Sequence, residues 1–357
     1  MFSLKTKGRG ATANAPSDRF NLAGREHDGD WLDAREEIDG PAPPPRTHVT
    51  IERPKTILSR NRSPDIPFDR SINAYRGCEH GCIYCFARPT HAFHDLSPGL
   101  DFETKLFAKP DAPRLLHAAL SKNGYRAAPI AMGTNTDPYQ PIESRFRITR
   151  DCIAILAETR HPLTITTKSN RVLRDIDLLA DMAKDNLVAV AISVTSLDPA
   201  VHRTLEPRAP TARKRLDAIT ALSEAGIPAY VSMSPIIPAI TDHEVEHLIE
   251  AAAEAGAKAA FFIPLRLPHE VAPLFCAWLD EYYPDRAKKV MNIVRSIRQG
   301  LDNDPRFFTR MRGAGPWADL IRTRFAKACR KHGLNRERIA LRSDLFCPPV
   351  GPQGELF

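Results

Sequence analysis

From residue 71 to residue 263, short apolar runs alternate with longer amphipathic stretches, and this alternation sets the expected architecture. Runs at 71–75, 128–132, 163–167, 187–194, 229–233 and 259–263 are short, almost free of charge and rich in β-branched or aromatic side chains. Each reads as a strand covered on both faces. Stretches at 112–121, 149–158, 175–183, 211–225 and 242–255 repeat apolar residues at three- and four-residue spacing, and Gly226 and Gly256 close the last two. Alternating strands and helices of this kind predict an α/β fold, a parallel sheet bent into an incomplete barrel. An open, doubly wound sheet is the competing arrangement, and no GxGxxG turn follows a strand to favour it. In a barrel the loops at the C-terminal ends of the strands carry the chemistry.

The alternation is confined to residues 53–265. Residues 1–52 are rich in Gly, Ala, Pro, Arg and Asp without an apolar period, which predicts a disordered N-terminal arm. From 266 to 343 the pattern is helical only, with helices expected at 273–282, 285–299 and 317–331. The last has an apolar stripe of Trp317, Ile321, Phe325 and Ala328, with Arg322, Lys327, Arg330 and Lys331 on its other faces. Residues 344–357 read as a flexible tail.

Charge adds a partner to this picture. The chain carries a formal net charge of +7, and from 286 to 342 basic residues outnumber acidic ones by about four to one. This helical extension is either a surface that tracks phosphates or a solvated basic face. No run approaches the roughly 20 apolar residues of a membrane span, and the first residues lack the apolar core of a signal peptide. A reducing cytoplasm is the expected compartment, with no membrane partner.

The chemistry concentrates after the first strand, where Cys78, Cys82 and Cys85 form a CxxxCxxC loop. Three thiolates on one small loop suit three irons of a [4Fe–4S] cube and leave the fourth iron open to a small molecule. A structural zinc site wants a fourth Cys or His. His80, His91 and His94 keep zinc open by composition, although the spacing differs from paired CxxC zinc motifs. With Tyr84 directly before the last cysteine, the motif resembles the signature of the radical S-adenosylmethionine superfamily. The resemblance implies a (β/α)6 TIM-like partial barrel whose open iron binds S-adenosylmethionine. An external electron donor would reduce the cluster, and the cleaved cofactor would yield a 5′-deoxyadenosyl radical.

Within that superfamily the chain is similar to the spore photoproduct lyases over roughly 53–265. The likeness is strongest at Cys78 to Cys85, at Thr134-Asn135-Thr136-Asp137 and from Ser193 to Pro207. The usual Gly-Gly-Glu segment that holds the cofactor's ammonium is missing, so Asp137 is the expected carboxylate partner, with Thr134, Asn135 and Thr136 beside it. Ser193 and Thr195 share one face of their strand and would reach a ribose. Glu206 and Arg208 either meet the cofactor or form a structural ion pair, and Ser232 begins a segment expected against adenine. Lys168 leaves a strand end, either to pair with a substrate carboxylate or as a surface lysine. The lyases carry a hydrogen-donating cysteine where Thr134 stands here. An O–H bond is far too strong for that role, so lesion reversal is not expected unless Tyr139 substitutes.

Cys152 falls in a helix pattern and reads as core, and Cys276, Cys329 and Cys347 read as separate thiols. The C-terminal Gln353-Gly354-Glu355-Leu356-Phe357 resembles the Gln-x-x-Leu-Phe peptides that bind the replicative sliding clamp, with a frayed end as the alternative. The expected function is a radical enzyme abstracting hydrogen from an unidentified substrate, a nucleic-acid base in DNA repair or modification being the leading candidate. A zinc-binding protein without redox chemistry, and an inactive DNA- or clamp-associated accessory protein, are the alternatives.

Overall fold

The computed structural model describes residues 8–14, 17, 19–20, 46–337 and 339–349. In chain order the strands are β1 (His48–Ile51), β2 (Leu58–Arg60), β3 (Arg70–Ile72), β4 (Tyr75–Arg76) and β5 (Lys105–Ala108), then β6 (Ile130–Met132), β7 (Leu163–Thr167), β8 (Val188–Ser193), β9 (Ala229–Ile236) and β10 (Ala259–Pro264). Seven of them form one sheet in the order β10-β9-β8-β7-β6-β3-β2. From β3 to β10 every pairing is parallel, and only the edge strand β2 runs antiparallel. The six parallel strands therefore stand side by side in chain order. A doubly wound sheet reverses its strand order partway. This one does not, and its edges β2 and β10 remain separate, so the α/β fold is an incomplete barrel of six parallel strands.

The strands are apolar on both sides because both sides are covered. All six residues of β8 are buried, and β6, β7 and β9 contribute Met132, Ile165 and Val231 to the same core. The outer layer is α1 (Ala112–Leu120), α2 (Ile148–Glu158), α3 (Ile176–Lys184), α4 (Ala212–Glu224) and α5 (Val245–Glu254). Each turns the apolar face foreseen from its spacing toward that core, as with Ile153 and Leu156 of α2. Gly133, which ends β6, has φ +90°, and a Cβ there would lie 1.9 Å from the Thr166 carbonyl oxygen. Only glycine lets the β6 loop leave the sheet this close to β7.

Several expectations change in detail. The strand foreseen at 71–75 splits: β3 stops at Ile72, and Tyr75–Arg76 instead pairs with β5 in a small sheet ordered β1-β5-β4. Asn73 marks the break, its amide oxygen accepting a 3.0 Å bond from the Asn135 N–H. The N-terminal arm is not disordered throughout 1–52, because β1 pairs with β5 from His48 to Ile51, and Gly10 and Ala11 bond to Glu103.

The helical extension is α6 (Val271–Tyr282), α7 (Pro284–Ile297) and α8 (Pro316–His332). It is not a detached unit. Ile321, Phe325 and Ala328 of α8 join the main core, Phe325 packs on Phe262 at 4.7 Å, and Arg324 pairs with Glu246 of α5. Trp278 of α6 packs in a second cluster with Cys82 and Ile83, backing the cysteine loop. The expected flexible tail begins too early at 344, since Phe346 packs at a tilt on Tyr125 and edge-on to His161. The 353–357 peptide lies outside the described residues. Among those described, no helix is long and apolar enough to cross a membrane.

Candidate active site at the strand ends

The cysteine loop follows β4 and is fixed by its neighbours. The Cys78 N–H donates to the Phe102 carbonyl at 3.0 Å, the Ile83 N–H to that of Leu205 at 3.2 Å, and the Glu79 N–H to Gln140 Oε1 at 3.1 Å. Arg88, fully buried, spans the base of the loop. Its Nε donates to the Cys82 carbonyl at 2.9 Å, Nη1 to those of Pro98 and Gly99, and Nη2 to Glu103 Oε1 at 2.6 Å. Glu103, also fully buried, accepts the N–H groups of Gly10 at 3.0 Å and Ala11 at 2.8 Å as well. The loop is thus clamped between an ion pair and the N-terminal arm.

Cys78 and Cys82 are buried and Cys85 half-buried. Burial pushes all three thiols up, Cys82 to about 12, so ligation of a cluster here displaces protons. The three thiols open on a cavity of about 880 Å³, mouth included. Each parallel strand from β6 to β10 brings a residue to its wall within two residues of the strand end: Gly133, Lys168, Ser193, Ser234 and Arg266. This is the face on which a barrel gathers its chemistry.

The residues foreseen for this site separate into three groups. Thr134, Asn135, Thr136, Asp137, Lys168 and Ser193 line the cavity with the cysteines and Tyr84. Thr134 Oγ1 accepts from Asn73 Nδ2 at 3.1 Å, and Thr136 Oγ1 donates to the Gly77 carbonyl at 2.6 Å. Lys168 Nζ stands 5.6 Å from the Tyr84 ring centroid and 4.0 Å from Glu206 Oε1. Burial is the largest single influence and lowers its pKa, but Glu206, Cys82 and Asp137 together more than offset this, and the net shift is upward.

Asp137 does not have the free carboxylate expected of an ammonium ligand. Its Oδ1 accepts from the Thr167 hydroxyl at 2.6 Å and the Tyr139 N–H at 2.9 Å, and its Oδ2 from the Lys168 N–H at 2.8 Å. His80 Nδ1 lies 3.3 Å from Oδ2. Burial works to raise this carboxyl, yet His80 and the surrounding donors hold it down to about 2. Two oxygens offer about four lone-pair positions, so Asp137 is a latch between β6 and β7.

Glu206, likewise expected at the cofactor, sits behind the wall. It accepts from Tyr84 Oη, from Thr195 Oγ1 at 2.7 Å and from Arg215 Nη2. Thr195 is therefore turned to Glu206, while Arg208 lies 3.3 Å from Glu79 and Ser232 is buried within β9. None of these four lines the cavity. Tyr139, the candidate hydrogen donor, is fully buried in the main core with its hydroxyl on Asp175 at 3.0 Å. It cannot face a substrate in this arrangement.

Ser234 belongs to the segment after Ser232 that was expected against adenine, although β9 runs on to Ile236 rather than stopping at 233; Arg266 and Phe86 escaped the sequence reading. Arg266 follows an apolar strand as Lys168 does, and the same rule would have found it. Phe86 is 54% exposed at the cavity wall directly after Cys85, and nothing in its spacing marked it.

The donor set fits an iron–sulfur cube. No three His, Cys, Asp or Glu side chains among the described residues are close enough to share one metal ion. A mononuclear zinc site needs such convergence, whereas a cube gives each thiolate its own iron. Cys152, Cys276, Cys329 and Cys347 lie apart as free thiols.

Comparison with known proteins agrees with this site. The family model of the radical SAM superfamily matches residues 72–252. An uncharacterized protein of Mycobacterium tuberculosis is 37% identical over 232 residues, 64% of this chain and 68% of that protein. An uncharacterized protein of Methanocaldococcus jannaschii is 31% identical over 221 residues, 62% of this chain and 79% of that one. Among solved structures, a spore photoproduct lyase mutant shares the fold with a TM-score of 0.50 at 16% identity. That match covers 66% of each chain, slightly less than two thirds. The cysteine loop, the six-strand partial barrel and the family match together establish that this chain belongs to the radical SAM superfamily, whose cofactors are a [4Fe–4S] cluster and S-adenosylmethionine.

Proposed function

We propose that the chain is a hydrogen-abstracting radical SAM enzyme acting on a nucleic-acid base, with its cluster held by Cys78, Cys82 and Cys85. The observation that carries this reading is the opening of the three cysteines and five successive strand ends on one cavity. When bound, the cluster and S-adenosylmethionine supply a one-electron cleavage that delivers a 5′-deoxyadenosyl radical, the protein providing position and dryness. Lys168, kept cationic by Glu206, offers a charged donor to the cofactor's carboxylate. Ser193 and the Thr134–Asn135 turn offer hydroxyl and amide groups at the same wall. Glu206, Thr195 and Arg215 hold the Tyr84 ring against the loop and act as positioning residues.

The reaction differs from lesion reversal. The Thr134 O–H bond is too strong to give up a hydrogen atom readily, and the Tyr139 hydroxyl faces Asp175 in the core, so neither serves as the donor in the lyase position. Exposed Phe86 at the cavity wall favours a base as substrate, since an aromatic face stacks on any base. An external reductant would supply the electron, and residues 353–357 would tether the enzyme to a sliding clamp.

Anaerobic reconstitution tests the assignment. About four irons and matching sulfide per chain are expected, together with 5′-deoxyadenosine on reduction in the presence of S-adenosylmethionine. The Cys78→Ala/Cys82→Ala/Cys85→Ala variant should lose all of the iron and the visible absorption. A full cluster in that variant refutes the ligand set.

A further inference from the structure

The cavity wall formed by β9 and β10 is chemically unfinished. Ser234 Oγ and Arg266 Nε are both buried without a hydrogen-bond partner among the described residues, and both residues line the cavity. Among the described residues, the one hydrogen bond from the Arg266 guanidinium goes from Nη1 to Met311 Sδ at 3.3 Å, a weak acceptor. No described carboxylate lies within ion-pair distance of it. Asp65 and Asp304, the acidic groups that act on it from farther away, are engaged by Arg310 at 2.6 Å and by Arg306 at 2.9 Å.

Arg266 is half-buried, but a guanidinium nitrogen buried without an acceptor is costly, and proteins keep such groups where an anion completes them. Arg266 is also held in place. Arg298, fully buried behind it, donates Nη2 to the carbonyls of Pro264 at 2.8 Å and Leu265 at 2.9 Å, and Nη1 to that of Arg310 at 2.7 Å. This ties the end of β10 to a loop carrying Arg306, Arg310 and Arg312 together with exposed Phe307 and Phe308. Arginines interleaved with exposed aromatics suit a strand of nucleic acid. Lys168, proposed above for the cofactor's carboxylate, follows β7, which β8 and β9 separate from β10.

We infer that Arg266, assisted by the Ser234 hydroxyl, is an oxyanion-recognition subsite, and that the anion it takes is a phosphate of a nucleotide-containing substrate. This rests on the cavity being the substrate chamber of a radical enzyme, as proposed above. The guanidinium is a fork of donors matched to phosphate oxygens, and Ser234 adds one hydroxyl donor. Phosphate binding here would place the attached base within the same cavity as the cysteines and Phe86.

The test uses cluster-loaded protein under anaerobic conditions and reads binding by calorimetry. The probes are a dinucleotide with a natural phosphodiester, its neutral methylphosphonate analogue, and S-adenosylmethionine. The wild-type chain should bind the charged dinucleotide about tenfold or more tightly than the neutral one, the worth of one charge-assisted hydrogen bond. Arg266→Gln should erase that preference, Ser234→Ala should reduce it, and both should keep their iron and bind S-adenosylmethionine within about twofold of wild type. Absence of the preference in the wild-type chain, or its persistence in Arg266→Gln, overturns the inference. Weaker S-adenosylmethionine binding in Arg266→Gln, with no preference between dinucleotides, assigns the subsite to the cofactor's carboxylate and also overturns the phosphate assignment. Arg266→Met guards against misfolding, because losing an unpaired buried cation should leave thermal stability equal or higher. Failure of the enzyme reading itself would appear separately, as a wild-type chain that neither holds iron nor cleaves S-adenosylmethionine.

Discussion

Two walls of the same cavity treat buried charge differently. Around the cysteine loop, the buried carboxylates Glu103, Asp137 and Glu206 each receive several donors from the chain itself. Across the cavity, Ser234 Oγ and Arg266 Nε have no hydrogen-bond partner among the described residues. A wall whose carboxylates are complete without a ligand positions a cofactor that is always needed. A wall with unmet donors costs stability until a ligand arrives, which suits a substrate that comes and goes.

The largest effect that would break this comparison lies at the buried Arg88–Glu103 pair. Arg88→Met leaves Glu103 with two backbone donors and removes its buried ion-pair partner, with Arg9 remaining as a nearby cation. We expect a loss of about 3–5 kcal/mol in chemical denaturation, with much of it recovered when Glu103→Leu is added. A small loss in the single variant would mean that the cysteine wall is not preorganised by this pair.

His161 comes next and lies away from the cavity, before β7. It is buried against Tyr125 at 2.9 Å and its pKa is lowered from 6.5 to about 4, chiefly by burial. The unfolded chain therefore binds the extra proton first as pH falls. Stability contributed by neutral His161 is intact above about 6.5 and is lost progressively down to about 4, roughly 3 kcal/mol in all. Equilibrium unfolding between pH 7 and pH 4 should be flatter in His161→Gln. An unchanged slope would place the acid sensitivity elsewhere and would have to be known before pH effects are assigned to either wall.

Asp137→Ala should cost about 1–3 kcal/mol of stability without cofactor, because it strands the Thr167 hydroxyl and the Lys168 N–H. Calorimetric unfolding of the apo chain distinguishes a latch from a ligand: a cofactor-binding carboxylate would lower S-adenosylmethionine affinity with little change in stability. At the open wall, Phe86→Ala should hardly alter stability, since the ring is already exposed. It should weaken binding of a single-stranded oligonucleotide by about 1 kcal/mol, the low end of a base–aromatic stack.

The barrel was legible because its strands are buried on both faces and so remain apolar through their length, as in residues 187–194. Five helices of the layer and all six parallel strands follow from that pattern. The cysteine loop was legible because ligand spacing is local. What escaped was long-range pairing. The side-chain partners of Asp137, Glu206 and Tyr139 are 30, 9–122 and 36 residues away, respectively, and no local pattern says whether a carboxylate will meet a ligand or its own chain. The arm was misread for the same reason: Gly10 and Ala11 find their acceptor 93 and 92 residues downstream.

That arm sets a lower limit on the working unit. Gly10 lies so close to the loop that a Cβ on it would fall 1.6 Å from the Gly81 carbonyl oxygen, and with Ala11 it donates two of the bonds that satisfy Glu103. A chain begun at residue 53 would retain every strand of the barrel and all three thiols. It would nevertheless uncover the outer side of the cysteine loop to water and dissolved oxygen. The residues that build the main sheet and those that shield the cysteine loop are therefore different sets, since Gly10 and Ala11 pack on the loop without belonging to any strand of that sheet.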